Sequence, residues 1–303
     1  MMTKGFVTIA TGEERYYDIA RNLLWSYQQF ASKKYPFAII CDKENKYTKE
    51  FDDVILLEKA YCNYLDKLQL YDYLPYDETI FIDADSLAYG DLDEWWDIFA
   101  KATDFSLFGY AWADLKSGRG WFDPEGIGEY KDKIAYIPDF NGGIYYMRKS
   151  EVCKKVFELA NYFANNFTKY TFNGFNQAAD EPCLALAMAV NHCMPLDIHE
   201  KGLIFAPKRK NIDLDILLPK ALYCDGTKRY EVNLIHWSNY RTQLSLYKYE
   251  VRKLKMLRNK NRRKFFYELF YKSKIIYYIL CFGNINAYIK RIKNRIRKCK
   301  RHH

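Results

Sequence analysis

Short apolar runs alternate with helical periodicity along the first 90 residues. "GFVTIA" (5–10) reads as a strand. "EERYYDIARNLLWSYQQF" follows, with Ile19, Leu23, Tyr27 and Phe30 spaced by four, four and three, which puts them on one face of a helix. "FAIICD" (37–42) and "DVILLE" (53–58) are the next two strands. "YCNYLDKLQLYDYL" (61–74) predicts a helix stopped by Pro75, and "TIFIDAD" (79–85) a fourth strand. Strands separated by helices imply parallel βαβ units, so the fold class is α/β: a mixed, mainly parallel sheet flanked by helices.

The pattern then loosens. Residues 104–138, including "GYAWADLKSGRGWFDPEGIGEY", read as a long irregular excursion. "GGIYYM" is a strand after a glycine turn. "EVCKKVFELANYF" (151–163) predicts a helix with Val152, Val156, Leu159 and Phe163 on its buried face and Ser150 as N-cap. "NGFNQAADEPCLALAMAV" leads into a further helix with Pro182 near its first turn, and "LIHW" (234–237) is a short late strand. From residue 251 the pattern is helical and basic, with the clusters "FFYELFY" and "IIYYILCF" between basic runs.

Composition adds a division to this picture. The chain has 303 residues and a net charge of +9. Residues 251–303 carry 18 Lys or Arg against the single acid Glu268, a net of +17, which leaves residues 1–250 at −8. An acidic catalytic-sized domain over 1–250 and a basic amphipathic tail over 251–303 are expected. The acidic body and the lack of a recognised binding motif argue against nucleic acid. Basic residues interleaved with Phe, Tyr and Ile suit the anionic surface of a membrane. No run of about 18 uncharged apolar residues occurs, and the N-terminus has no apolar signal core, so a cytoplasmic, peripherally membrane-associated protein is expected. The eight cysteines form no C-x-x-C pair and read as reduced core thiols.

The candidate chemistry sits in "IFIDAD". An apolar run delivers Asp83 and Asp85 to its own tip. Two carboxylates at that spacing repel unless a cation or protons intervene, and carboxylate oxygens suit hard cations such as Mn²⁺ or Mg²⁺. Such sites leave coordination positions to phosphates and water. Ligands of open α/β sheets bind outside the carboxyl ends of the strands, where Asp42 and the Asp83/Asp85 pair both fall. D-x-D recurs at 91–93 and 213–215, but neither copy follows a long apolar strand. Position, not spacing, selects Asp83 and Asp85.

"IFIDADSLAYGDLDEWW" resembles the D-x-D segment of glycogenin-like (family 8-type) nucleotide-sugar glycosyltransferases, and further motifs follow that family's order over roughly residues 3–245. The resemblance implies a GT-A (Rossmann-like) fold and a metal-dependent, retaining hexosyltransferase using a nucleotide sugar, chiefly a UDP-sugar, with a glycan or glycolipid acceptor, as in cell-surface polysaccharide synthesis. "TIAT" is similar to the segment that holds the nucleotide base, which implies Ala10 and Thr11. "LDKLQLYDYL" matches the helix whose Lys, here Lys67, lies near the donor. The resemblance implies Asp83 and Ala84 as donor contacts too. "FNGGIYY" resembles the turn beside the donor sugar, here Asn141 and Gly142. "ADEPCLALAM" resembles the segment that implies Asp180 and Glu181 as catalytic, with Glu where Gln is usual. "IHW" implies His236 as the third metal ligand beside Asp83 and Asp85, with Mn²⁺ or Mg²⁺ as cofactor. Arg241 stands where the family has Gly and Lys nearby, as a phosphate contact. Trp112 and Trp121 are candidates for stacking on the acceptor.

Other readings compete. A haloacid-dehalogenase-type phosphatase also ends a strand in D-x-D, but on its first strand. A non-catalytic membrane-binding protein would account for the tail. His236 taken singly is an ordinary strand histidine, Lys67 an exposed helix lysine, Asn141 a turn residue and Asp180 a helix cap.

Overall fold

The structure, a computed structural model, describes residues 2–197, 203–205, 212–217, 220–225 and 228–258. In chain order the elements are β1 (Lys4–Ala10), α1 (Glu14–Phe30), β2 (Phe37–Cys41), β3 (Asp53–Leu56), β4 (Glu78–Ile82), β5 (Ser86–Ala88), α2 (Trp95–Phe99), β6 (Phe105–Ser106), β7 (Gly109–Trp112), β8 (Ile137–Phe140), β9 (Ile144–Arg148), α3 (Glu151–Asn165) and α4 (Asp180–Val190). Then follow β10 (Leu203–Phe205), β11 (Ile212–Asp215), β12 (Lys220–Asp225), β13 (Lys228–Glu231), β14 (Leu234–His236) and α5 (Ser245–Arg258).

The central sheet has six strands in the order β3-β2-β1-β4-β9-β6. β1 to β4 are mutually parallel, while β9 runs antiparallel to both β4 and β6. Side chains alternate across it as strand geometry requires. Val7, Ile40, Phe81 and Tyr145 join a core that includes α3 and α4. Phe6, Ile39, Ile80 and Tyr146 join a second core that includes α1 and α2. A sheet covered on both faces needs near-continuous apolar strands, which explains why the runs were so conspicuous in the sequence. The expected α/β class, with its mixed and mainly parallel sheet, is what the chain adopts.

Several elements differ from expectation. The predicted helix over 61–74 is a run of 3₁₀ turns, Tyr64–Tyr73, opened by Asn63, whose side chain accepts from the Leu65 amide at 2.8 Å. Its buried positions Asp66, Leu68 and Leu70 alternate, which does not fit the single face of an α-helix. In α3, Ser150 caps the Cys153 amide as predicted, but Val152 is 41% exposed rather than buried. It lies in the first turn, off the face that buries Cys153, Val156, Phe157, Ala160 and Phe163. The 104–138 excursion holds β6, β7 and two short 3₁₀ turns, and is anchored by the buried Phe122 and Ile127. Cys41, Cys153, Cys183 and Cys193 are buried free thiols, whereas Cys62 is exposed, on a loop where its φ is +56°.

The described residues divide at Thr242/Gln243 into two units. In the second, the Lys253 and Glu250 side chains of α5 are almost fully buried, with Nζ and Oε1 2.6 Å apart. Residues 259–303, most of the basic tail, lie outside the described residues. Among the described residues, no helix is long and apolar enough to cross a membrane.

Candidate active site

The site is assembled on the turn between β4 and β5. β4 ends at Ile82, and the Ser86 amide donates to the Asp83 carbonyl at 3.1 Å, so both carboxylates ride on a tight turn. Two antiparallel pairings bring later segments onto this turn. β9 pairs with β4, Ile144 opposite Ile82, and the Asp83 amide donates to Gly143 O at 3.0 Å. β14 pairs with β5, His236 opposite Ser86, and the Trp237 amide donates to Asp85 O at 2.9 Å. Strand register thus places Asn141–Gly143 on one side of the carboxylates and His236 on the other.

Asp83, Asp85 and His236 each offer a ligand atom within 4.8 Å of the others. His236 Nε2 lies 3.0 Å from Asp85 Oδ1 and 3.4 Å from Asp83 Oδ2. Its Nδ1 lies 2.6 Å from Asn141 Oδ1, which also accepts from the Gly143 amide at 3.1 Å. An amide oxygen only accepts, so Nδ1 donates and Nε2 is left facing the carboxylates. Orientation of a ligating imidazole through its other nitrogen is a recurrent feature of metal centres. Burial works to lower the His236 pKa, but the Asp85 and Asp83 carboxylates outweigh it and hold the ring above its ordinary value. Burial raises the Asp83 carboxyl against the opposing pull of Lys67 and His236. Two carboxylates and an imidazole, partly buried and mutually aimed, fit a hard divalent cation.

Lys67 joins a carboxylate of the turn to one of α4. Its Nζ lies 2.8 Å from Asp83 Oδ2, 3.1 Å from Asp180 Oδ2 and 3.3 Å from Gly142 O. Burial alone would lower its pKa, but Asp180 and Asp83 hold the ammonium charged well above the ordinary lysine range. The Tyr145 hydroxyl donates to the same Asp180 oxygen at 3.1 Å. Glu181 Oε1 accepts from the Gly142 amide at 2.6 Å. Burial, with the Asp180 charge next in size, pushes the Glu181 carboxyl up to about 7 despite Lys67 and that hydrogen bond.

Both glycines are required by close approach. A Cβ on Gly142 would stand 2.6 Å from the Tyr145 hydroxyl and 2.8 Å from Glu181 Cγ. One on Gly143 would stand 2.8 Å from His236 Nδ1.

One hydrogen-bonded network therefore joins Lys67, Asp83, Asp85, Asn141, Gly142, Asp180, Glu181 and His236. Thr11 is bonded instead to Asp66, and Arg241 to Ser238 Oγ at 2.8 Å. Ala10 ends β1 and Ala84 sits between the two aspartates. Trp121 donates from Nε1 to Phe140 O at 3.0 Å, one residue before Asn141. Trp112 donates to Asp139 at 3.1 Å, stacks on Tyr110 at 5.5 Å and has the Arg119 guanidinium 4.5 Å from its ring centre. Sequence reading passed over Tyr145, whose place in "IYYM" reads as one more core aromatic; its hydroxyl is the only outward sign. The second D-x-D is structural: Asp91 caps the Asp93 amide, and buried Asp93 accepts from Tyr27 and from the Lys33 and Lys34 amides.

No protein-family model and no curated protein sequence matches the chain. Solved structures do. An active-site glutamine-to-glutamate mutant of LgtC aligns over 83% of this chain and 95% of its own, at 14% identity and a TM-score of 0.52. The chain has the GT-A fold. A second LgtC structure, a galactosyltransferase with donor and acceptor sugar analogues, covers 66% of this chain and 75% of its own at 15% identity and TM-score 0.44. Mouse xyloside xylosyltransferase 1 covers 67% and 88% at 10% identity and 0.43. At these identities the likeness concerns the fold, and only the first carries weight. A GT-A fold with D-x-D after the fourth strand of the chain removes the dehalogenase-type reading, in which that motif ends the first strand.

Proposed function

We propose that this chain is a metal-dependent glycosyltransferase that moves a hexose from a nucleotide sugar, chiefly a UDP-sugar, to a glycan or glycolipid acceptor. The observation that supports the reading most strongly is the Asp83–Asp85–His236 set joined through Lys67 to Asp180. Glycosyl transfer builds positive charge on the sugar and negative charge on the departing diphosphate. A divalent cation, Mn²⁺ or Mg²⁺, held by Asp83, Asp85 and His236 would supply charge neutralisation at that diphosphate. Lys67 adds a fixed positive charge beside it, in a buried setting where such charges act strongly. Asp180, held by Lys67 and Tyr145 through one oxygen, keeps its other oxygen for the donor sugar. Glu181, half protonated near neutrality, sits beside it as the second catalytic carboxyl.

Ala10, Thr11 and Ala84 are assigned to the nucleotide, Asn141 and Gly142 to the donor sugar, Arg241 to a phosphate, and Trp112 and Trp121 to the acceptor. Transfer with retention and a role in cell-surface polysaccharide synthesis complete the proposal. A domain over 1–250 would carry the catalysis at the cytoplasmic face of a membrane, with the +17 segment 251–303 on the anionic lipid. A thermal-shift screen of nucleotide sugars tests the donor class: UDP-sugars raise the melting temperature with Mn²⁺ and not with EDTA. A screen in which no nucleotide sugar stabilises the protein contradicts it.

A further inference from the structure

Asp66 is only 1% exposed, yet it lies one residue before Lys67 and has no part in the network above. A buried carboxylate is costly unless its oxygens are hydrogen-bonded. Asp66 Oδ1 accepts from the Tyr61 amide at 2.6 Å and from Gln69 Nε2 at 3.3 Å. These bonds serve its own segment. Asp66 Oδ2 reaches further and accepts from Thr11 Oγ1 at 2.8 Å, across 55 residues of chain. Thr11 stands just past the end of β1, and the next residue is held by a second carboxylate. The Gly12 amide, at a φ of +81°, donates to Asp42 Oδ1 at 3.2 Å, and Tyr17 also donates to Asp42. The turn after β1 is thus gripped from two sides, by Asp42 at the tip of β2 and by Asp66 in the 3₁₀ segment.

The two grips differ in what lies behind them. Asp42 is continuous with the sheet. Asp66 is continuous with Lys67, whose ammonium bridges Asp83 and Asp180. We infer that Asp66 is a positioning residue that holds the nucleotide side of the site, at Thr11, in register with the diphosphate side, at Lys67. The inference rests on the glycosyl-transfer reading. Asp66 touches no reacting atom in this account and acts through its two neighbours.

The test measures binding of UDP and of inorganic pyrophosphate, each with Mn²⁺, by calorimetry. Pyrophosphate reports on Lys67 and the carboxylates alone, while UDP reports on both ends. Asp66→Ala is expected to weaken both ligands, UDP by about tenfold, the size of one lost charge-assisted hydrogen bond. Thr11→Val is expected to weaken UDP alone. The double variant is expected to bind UDP no worse than Asp66→Ala. Wild-type affinity for both ligands in a folded Asp66→Ala overturns the inference, as does a double variant whose losses multiply to about a hundredfold. Should the alanine fail to fold, Asp66→Asn keeps the size and the acceptor for Tyr61 and is expected to weaken UDP about threefold; unchanged affinity overturns the inference. A wild-type protein that binds neither ligand overturns the glycosyl-transfer reading along with it.

Discussion

The Glu181 carboxyl is raised from 4.5 to about 7 by burial, with the adjacent Asp180 charge next in size. The folded state therefore holds a proton that the unfolded chain has already released between those values. Stability from this group is fully present below pH 4.5 and is lost as pH rises through 7. The full loss is at most about 3 kcal/mol. Glu181→Gln removes the titration, so its melting temperature, measured in EDTA, is expected to overtake that of the wild type between pH 5 and 8. Parallel melting profiles for the two proteins across that range contradict the assignment. Individual side chains were legible where chemistry and position coincide. Asp83 and Asp85 follow an apolar strand, where a pair of carboxylates has few structural reasons to exist, whereas His236, singly an ordinary strand histidine, was singled out only by the resemblance. Asp66 and Tyr145 were not legible, because a polar residue inside a helical pattern and a tyrosine inside a core strand both look ordinary until their partners are known.

The Asn141–Gly143 turn depends on register more than on any one side chain. β9 must pair with β4 so that Gly143 O meets the Asp83 amide, and both glycines must leave room for the groups packed against them. Gly143→Ala is expected to push His236 off Asn141 and weaken Mn²⁺ binding about tenfold or more, a loss that calorimetry with Mn²⁺ alone would detect. Gly142→Ala instead meets Tyr145 and Glu181 and is expected to lower turnover while leaving Mn²⁺ affinity within about twofold. Equal Mn²⁺ affinity in both variants and the wild type contradicts this division. Strands were the easiest elements to read, because a sheet buried on both faces makes them continuous apolar runs. The 61–74 segment was harder. Its apolar residues suit a helix, but the segment is a run of 3₁₀ turns in which Asp66 bonds to the Tyr61 amide and to Thr11, partners that periodicity does not reveal. The short pairing of β5 with β14 was visible only as "LIHW", and its partner could not be read from either segment.

The chain as a whole sets an acidic body against a basic C-terminal segment. Electrostatic adsorption predicts that removing residues 259–303 leaves the melting temperature within a few degrees and sharply reduces binding to vesicles containing anionic lipid. The loss should be larger at low salt than at high salt, since such attraction is screened within about 10 Å at 0.1 M ionic strength. Co-sedimentation at two salt concentrations measures it, and unchanged sedimentation of the truncated protein contradicts the membrane role. The α/β class was evident in the order of elements. The GT-A fold was implied by the order of the motifs, whereas the antiparallel placement of β9 and β14 was not legible, because it is a matter of long-range pairing. The central claim is that Asp83 and Asp85 hold a cation essential for sugar transfer. Turnover of a UDP-sugar with Mn²⁺, by the wild type and by Asp83→Ala/Asp85→Ala, tests it most directly. The account predicts a loss of about a hundredfold or more in a folded double variant; undiminished turnover would contradict it.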